Sequence, residues 1–352
     1  MPEYDFSQVE AAIIDSQHNT LRLLRELLAR LNLKNVATFT TVSDATPLLT
    51  NATPDLLLVD VDGEEAEALK FVRTLRNEPG TPNPFACVIL TTWQPTPVLL
   101  MRVANTGADD LLVKPVSPKQ VQERVTTLVE ARKKFVVTAD YTGPDRRKSP
   151  RDATQVPLID VPNTLRLKAT NKWGTVVPRK MTLEAVSRVN EQKRLRASVQ
   201  AAFLVEFAMP GLTRTPVDRM AVEHLSRVPA MVDELMRRLP DVGNHAAIDT
   251  AGRSLKKIVE HLRAEVDAGT VDEREVAHAQ ELSRELMQAV DPQRPLDSMV
   301  REVTAAVAGY RARLDQIAQA KAAEAARAAG GGAAAVAGAG TGAEAEGAKA
   351  GA

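Results

Sequence analysis

Gly107-Ala108-Asp109-Asp110-Leu111-Leu112-Val113-Lys114-Pro115 sets a short apolar run between an acidic start and a lysine held against a proline. Three upstream runs have the same form. Ala11-Ala12-Ile13-Ile14 ends at Asp15, Leu56-Leu57-Leu58-Val59 ends at Asp60, and Val88-Ile89-Leu90 ends at Thr91. Four apolar runs, each delivering one polar residue at its C-terminal end, describe a parallel sheet buried on both faces with its ligand crevice along the carboxyl edge. Between the runs, Leu21, Leu24, Leu27, Leu28 and Leu31 recur at three and four, as do Leu69, Val72 and Leu75, then Val121, Val125, Leu128 and Val129. The alternation predicts a doubly wound α/β domain from about residue 8 to residue 135.

The order Asp15, Asp60, Thr91, Lys114-Pro115, closing on a Gly-Ala-x-Asp-x-Leu-x-Lys-Pro signature, resembles the receiver domain of two-component response regulators. The resemblance covers roughly a third of the chain. It implies a five-stranded, flavodoxin-like domain over residues 1–135 in which Asp60 is the phosphoacceptor, taking its phosphoryl group from a histidine kinase or phosphotransfer protein. By the same resemblance, Mg²⁺ is held by Asp15, Asp60 and the backbone carbonyl of Asp62. Thr91 then bonds a phosphoryl oxygen, Lys114 neutralises one, and the Lys114-Pro115 bond is cis. The chemistry agrees. Mg²⁺ takes one or two carboxylates plus phosphate oxygens, and phosphoryl transfer is catalysed mostly by positioning and charge neutralisation. Such a domain is no enzyme beyond self-dephosphorylation.

Three departures weaken the match. Ser16 stands where the family carries a second acid. The acceptor is followed by Val61-Asp62-Gly63-Glu64-Glu65-Ala66, which crowds carboxylates beside Asp60 and opposes accumulation of phosphate there. Leu111 takes the place of a switch aromatic, and Thr92-Trp93 follows Thr91 where a small residue is usual. The third departure points to altered output coupling, whereas Ser16 and the acidic loop favour the chief alternative, a receiver-like scaffold that works without phosphate. Asp62 otherwise reads as a loop acid, and His18 as a solvated loop residue.

The 352 residues have room for two domains, and 44% apolar content is ordinary for a globular chain. The single cysteine, Cys87, lies in an apolar strand and fits a reducing compartment. No apolar run has the length of a membrane span, and Met1-Pro2-Glu3-Tyr4-Asp5 lacks the features of a signal peptide. A cytoplasmic protein without membrane insertion is expected.

Formal net charge is zero, but residues 140–199 carry 13 Lys and Arg against 6 Asp and Glu. With prolines at 144, 150, 157, 162 and 178, residues 136–180 read as a basic, Pro-containing linker. A linker or docking segment is favoured over nucleic-acid binding by residues 140–199, because Tyr141 and Trp173 are the only aromatics there for stacking. Tyr141-Thr142-Gly143-Pro144-Asp145-Arg146-Arg147 forms a distinct block with no assignable role. Arg147-x-x-x-Arg151 has the spacing of a cyclic-di-GMP-binding arginine pair, but the downstream Asp-x-Ser-x-x-Gly of that motif is absent.

From residue 181 to 328 the periodicity is helical only. Five amphipathic helices are expected. The first carries Leu183 to Phe203, and the second is capped at Thr215 and runs past Pro229 to Leu239. The third carries Ile248 to Leu262, the fourth opens on a Thr270–Glu273 capping box, and the fifth starts at Pro295. This is an all-helical bundle whose output is binding to an unidentified protein partner or self-association as a homodimer. His261 reads as a solvated helix histidine, since Arg263 and Glu265 follow it where a phosphotransfer histidine needs small neighbours. Residues 329–352, nearly all Ala and Gly, are expected to be disordered, with Ala318 to Ala328 extending the last helix.

Overall fold

The computed structural model describes residues 4–51, 54–147, 157–172, 178–239 and 245–337. Five parallel strands, β1 (Glu10–Ile14), β2 (Asn35–Phe39), β3 (Leu56–Asp60), β4 (Cys87–Thr92) and β5 (Asp110–Val113), form one sheet in the order β2-β1-β3-β4-β5. β3 and β4 are buried along their whole length. Alternate residues therefore feed two cores. Ile13, Leu56, Leu58 and Ile89 pack against α1 (His18–Arg30) and α5 (Pro118–Glu130), whereas Ala12, Leu57, Val59 and Leu90 pack against α3 (Glu65–Asn77) and α4 (Pro97–Ala104). The short α2 (Val42–Ala45) follows β2, an edge strand whose half-exposed Asn-Val-Ala-Thr-Phe lacks the apolar run that marks the others. His18 is not in a loop but opens α1.

The stretch read as a linker is in large part folded. β6 (Phe135–Val137), β7 (Thr142–Pro144) and β8 (Leu158–Ile159) pair antiparallel in the order β7-β6-β8, and α6 (Thr164–Ala169) packs Leu165 and Ala169 into the α1/α5 core. Pro144 is tolerated because β7 is an edge strand. The basic side chains are largely turned to internal use. Lys168 Nζ pairs with Asp55 Oδ2 at 2.8 Å, Arg146 donates to the Ala108 carbonyl, and Arg147 pairs with Asp145. Lys148 to Arg151, including the second arginine of the cyclic-di-GMP-type pair, and Trp173 lie outside the described residues.

The helical part comprises α7 (Pro178–Leu212), α8 (Arg219–Ser226), α9 (Val228–Met236), α10 (His245–Ala268), α11 (Glu273–Val290) and α12 (Leu296–Ala337). Leu204, Leu225, Val232, Leu255 and Leu286 meet in its core. Four expectations are corrected. The second helix is two, breaking at Arg227, because Pro229 brings no N–H and is accommodated only in the first turn of a new helix. Its cap is Asp218, which accepts from Met220 N, rather than Thr215. The fourth is capped by Asp272, which accepts from Arg274 N at 2.8 Å, rather than by Thr270. The last helix also continues to Ala337, so residues 329–337, with Gly330, Gly331 and Gly332 among them, are helical rather than disordered. Residues 338–352 lie outside the described residues. Among the described residues no helix is long and apolar enough to cross a membrane.

Candidate functional site

Parallel strands buried on both faces present polar side chains only where they end. Asp15 follows β1, Asp60 ends β3, Thr91 lies opposite Asp60 in the β3–β4 register, and Lys114 follows β5. Backbone bonds fix these ends: Asp15 N donates to the Phe39 carbonyl, Val61 N to that of Thr91, and Lys114 N to that of Thr92 at 2.7 Å. The Lys114-Pro115 bond is cis.

The four side chains converge. Lys114 Nζ lies 2.5 Å from Asp60 Oδ1 and 3.2 Å from Asp15 Oδ2, and the Thr91 hydroxyl donates to Asp60 Oδ1 at 3.3 Å. All four are buried. Burial, helped by the charges of Asp15 and Asp62, pushes the Asp60 carboxyl up to about 6 against the pull of Lys114. Burial also works against the Lys114 charge, but the Asp60 and Asp15 carboxylates outweigh it and hold the ammonium above the usual lysine value.

Asp62 joins them through its side chain. Its carboxylate lies 3.2 Å from Lys114 Nζ, accepts from the Thr92 hydroxyl at 2.6 Å and from Trp93 N at 2.9 Å. Although burial opposes its charge, these donors hold its carboxyl below the ordinary value. The exposed indole of Trp93 lies beside the cluster, with Lys114 Nζ 5.3 Å from the ring centroid. The sequence offered one signal for this role, the extra acid two residues beyond Asp60, but its partners come from the next strand end.

Three carboxylates face one ammonium, an excess of negative charge at hard oxygen donors that suits Mg²⁺. Ser16, in the place of a further acid, is exposed and lies against the following loop: a Cβ built on Gly63 would stand 3.0 Å from its Oγ.

At the opposite edge of the sheet a second polar cluster is purely internal. Asp109, the residue just before β5, accepts from Arg76 Nη2 (2.9 Å), Arg132 Nε (2.7 Å) and Val88 N (2.9 Å). Both guanidiniums lie over the Phe135 ring, at 5.3 and 5.0 Å. Of the remaining histidines, His261 is exposed on α10 and faces Glu265 and Glu275, and His224 is buried against Phe207 and Tyr310.

Residues 11–126 match the response regulator receiver domain family. Over 126 residues the chain is 23% identical to the probable chemotaxis protein CheY of Rhizobium etli, an alignment covering 36% of this chain and 96% of that protein. Among solved structures, a signal receiver domain from Clostridium thermocellum aligns at 16% identity with a TM-score of 0.31, covering 34% of this chain and 95% of that one. The chemotaxis protein CheY4 of Vibrio cholerae aligns at 19% identity with a TM-score of 0.31, covering 34% and 96%.

Proposed function

We propose that this chain, whose residues 11–126 form a response regulator receiver domain, accepts a phosphoryl group on Asp60 and thereby switches what its helical part binds. The observation that carries the reading is the closure of four strand ends on one point, with Lys114 Nζ 2.5 Å from Asp60 Oδ1 and 3.2 Å from Asp15 Oδ2. The donor is a phosphohistidine on a histidine kinase or phosphotransfer protein. An Asp60 carboxylate oxygen forms the new P–O bond, the P–N bond to the donor imidazole breaks, and the imidazole keeps the electron pair and takes up a proton. Asp60 must be ionised to attack, and with its carboxyl at about 6 most of it is ionised at neutral pH. Lys114 and the Thr91 hydroxyl are placed to hold the oxygens of the transferred group.

Asp15, Asp60 and the Asp62 carbonyl would hold Mg²⁺, which neutralises charge on the phosphoryl oxygens when bound. Beyond the site, Trp93, Val98, Leu100, Met101 and Val113 leave exposed apolar surface around α4 and the end of β5, on the side where Asp60 lies. That surface and the helical part are the two places for a protein partner or a second copy, acting in the cytoplasm. Nucleic-acid binding through residues 140–199 is the weaker reading, because Arg146, Arg147, Lys168 and Lys193 already have partners within the chain.

The test is phosphorylation with a small phosphoramidate donor in the presence of Mg²⁺, followed by intact mass. Wild type gains one phosphoryl group and Asp60→Asn gains none. Equal behaviour of the two proteins sinks the acceptor reading and leaves the phosphate-independent scaffold.

A further inference from the structure

The Asp62 carboxylate takes part in more than the loop that carries it. One oxygen accepts from the Thr92 hydroxyl at 2.6 Å, and the other accepts from Trp93 N at 2.9 Å and faces Lys114 Nζ at 3.2 Å. Thr92 is itself fixed, its hydroxyl accepting from Gln94 N at 3.1 Å. Asp62 therefore gathers a hydroxyl, a backbone N–H at the strand end beside Thr91, and the site's ammonium. Those are the kinds of donor that recognise an oxyanion. The Asp62 and Asp60 carboxylates also share the Lys114 ammonium, at 3.2 and 2.5 Å. An anion thus already stands next to the acceptor, on the acceptor's own cation.

We propose that the Asp62 side chain is an internal stand-in for the phosphoryl group, holding Lys114 and the Thr92–Trp93 corner engaged before any phosphate arrives. It rests on the reading of Asp60 as acceptor. Two consequences follow from the geometry. The corner that leads into α4 is pinned in the unphosphorylated protein, with the Trp93 ring over Lys114. An incoming phosphoryl group must also displace a carboxylate from Lys114 and meets its like charge, so Asp62 lowers the affinity of the site for phosphoryl-like anions.

The experiment uses the full chain with Trp173→Phe, so that Trp93 is the single tryptophan, and compares it with the same chain carrying Asp62→Ala or Asp62→Asn. Hydrogen exchange at the Trp93 amide and indole fluorescence are followed without ligand, then during titration with beryllofluoride at fixed Mg²⁺. Both variants should exchange the Trp93 amide faster and shift its fluorescence without ligand, and should bind beryllofluoride roughly tenfold more tightly as the like charge is removed. Unaltered Trp93 signals in the free variants, or equal beryllofluoride affinity in all three proteins, would overturn the proposal and leave the acceptor reading standing. Absence of beryllofluoride binding in all three would instead remove the acceptor reading, and the competition with it.

Discussion

Asp109 shows how one buried carboxylate can hold an edge of a sheet. It satisfies two guanidiniums that are themselves buried, and Arg76 and Arg132 also reach the carbonyls of Gly107, Pro84, Phe85 and Ala86. Removing one partner of such a set leaves uncompensated charge in the interior. Asp109→Ala should lower stability by about 3–5 kcal/mol, read from urea denaturation. Lys193 makes the opposite case. Burial, with Arg238 beside it, pushes its ammonium down to about 8, although Asn77 Oδ1 accepts from it. Its folded value lies below its unfolded one, so between about pH 8 and the ordinary lysine range the unfolded chain binds more protons and stability rises with pH. Below pH 8 both states are protonated and the slope vanishes. Wild type should therefore gain stability relative to Lys193→Met between pH 8 and pH 10, measured as paired urea midpoints.

At the scale of elements, the block from Tyr141 to Arg147 gains a role that its composition did not suggest. β7 lies across the turn before β5. A Cβ on Gly107, where φ is +85°, would stand 2.2 Å from the Thr142 carbonyl oxygen, and one on Gly143 would stand 2.5 Å from the Gly107 Cα. Two backbones meet here with room for no side chain, while the Tyr141 hydroxyl donates to the Pro144 carbonyl and Arg146 donates to that of Ala108. Gly143→Ala should cost about 1–3 kcal/mol through overpacking, read from thermal or urea melts. Asp272→Ala should cost about 1 kcal/mol, since it removes the cap of α11 and leaves a first-turn N–H without its acceptor. The helices of the α/β unit were legible because an apolar stripe at three and four is a repeated signal. The break at Arg227 was not, because the stripe runs on through Pro229 and only the missing N–H forces a new start.

Across the whole molecule, the helical part is joined to the α/β unit at the edge opposite Asp60. Phe85, Phe135, Val137 and Ile159 pack with Ala185 and Val189 of α7, and Arg238 donates to the Asn77 carbonyl at the end of α3. Phe135 is central, fully buried, edge-on to Phe85 and under both guanidiniums of the Asp109 cluster. A shared core of this kind should make the two parts unfold together. Calorimetry should give one transition for wild type, and Phe135→Ala, at a cost of about 3–5 kcal/mol, should separate it into two.

The amino-acid sequence by itself determined the parallel sheet and the identity of the polar residues at its carboxyl edge, because a strand buried on both faces must be apolar until it ends. It likewise determined the helical character of the second half through periodicity. Tertiary structure alone decided which groups Asp62 binds, how Arg76, Asp109 and Arg132 meet, and that much of a basic, proline-containing stretch folds back as β6, β7, β8 and α6. Those outcomes depend on partners far apart in the chain, as in Lys168 with Asp55 or Arg238 with Asn77. A lone charge carries no period, and its pairing is fixed only when packing brings the other group within a few ångströms and removes the water between them.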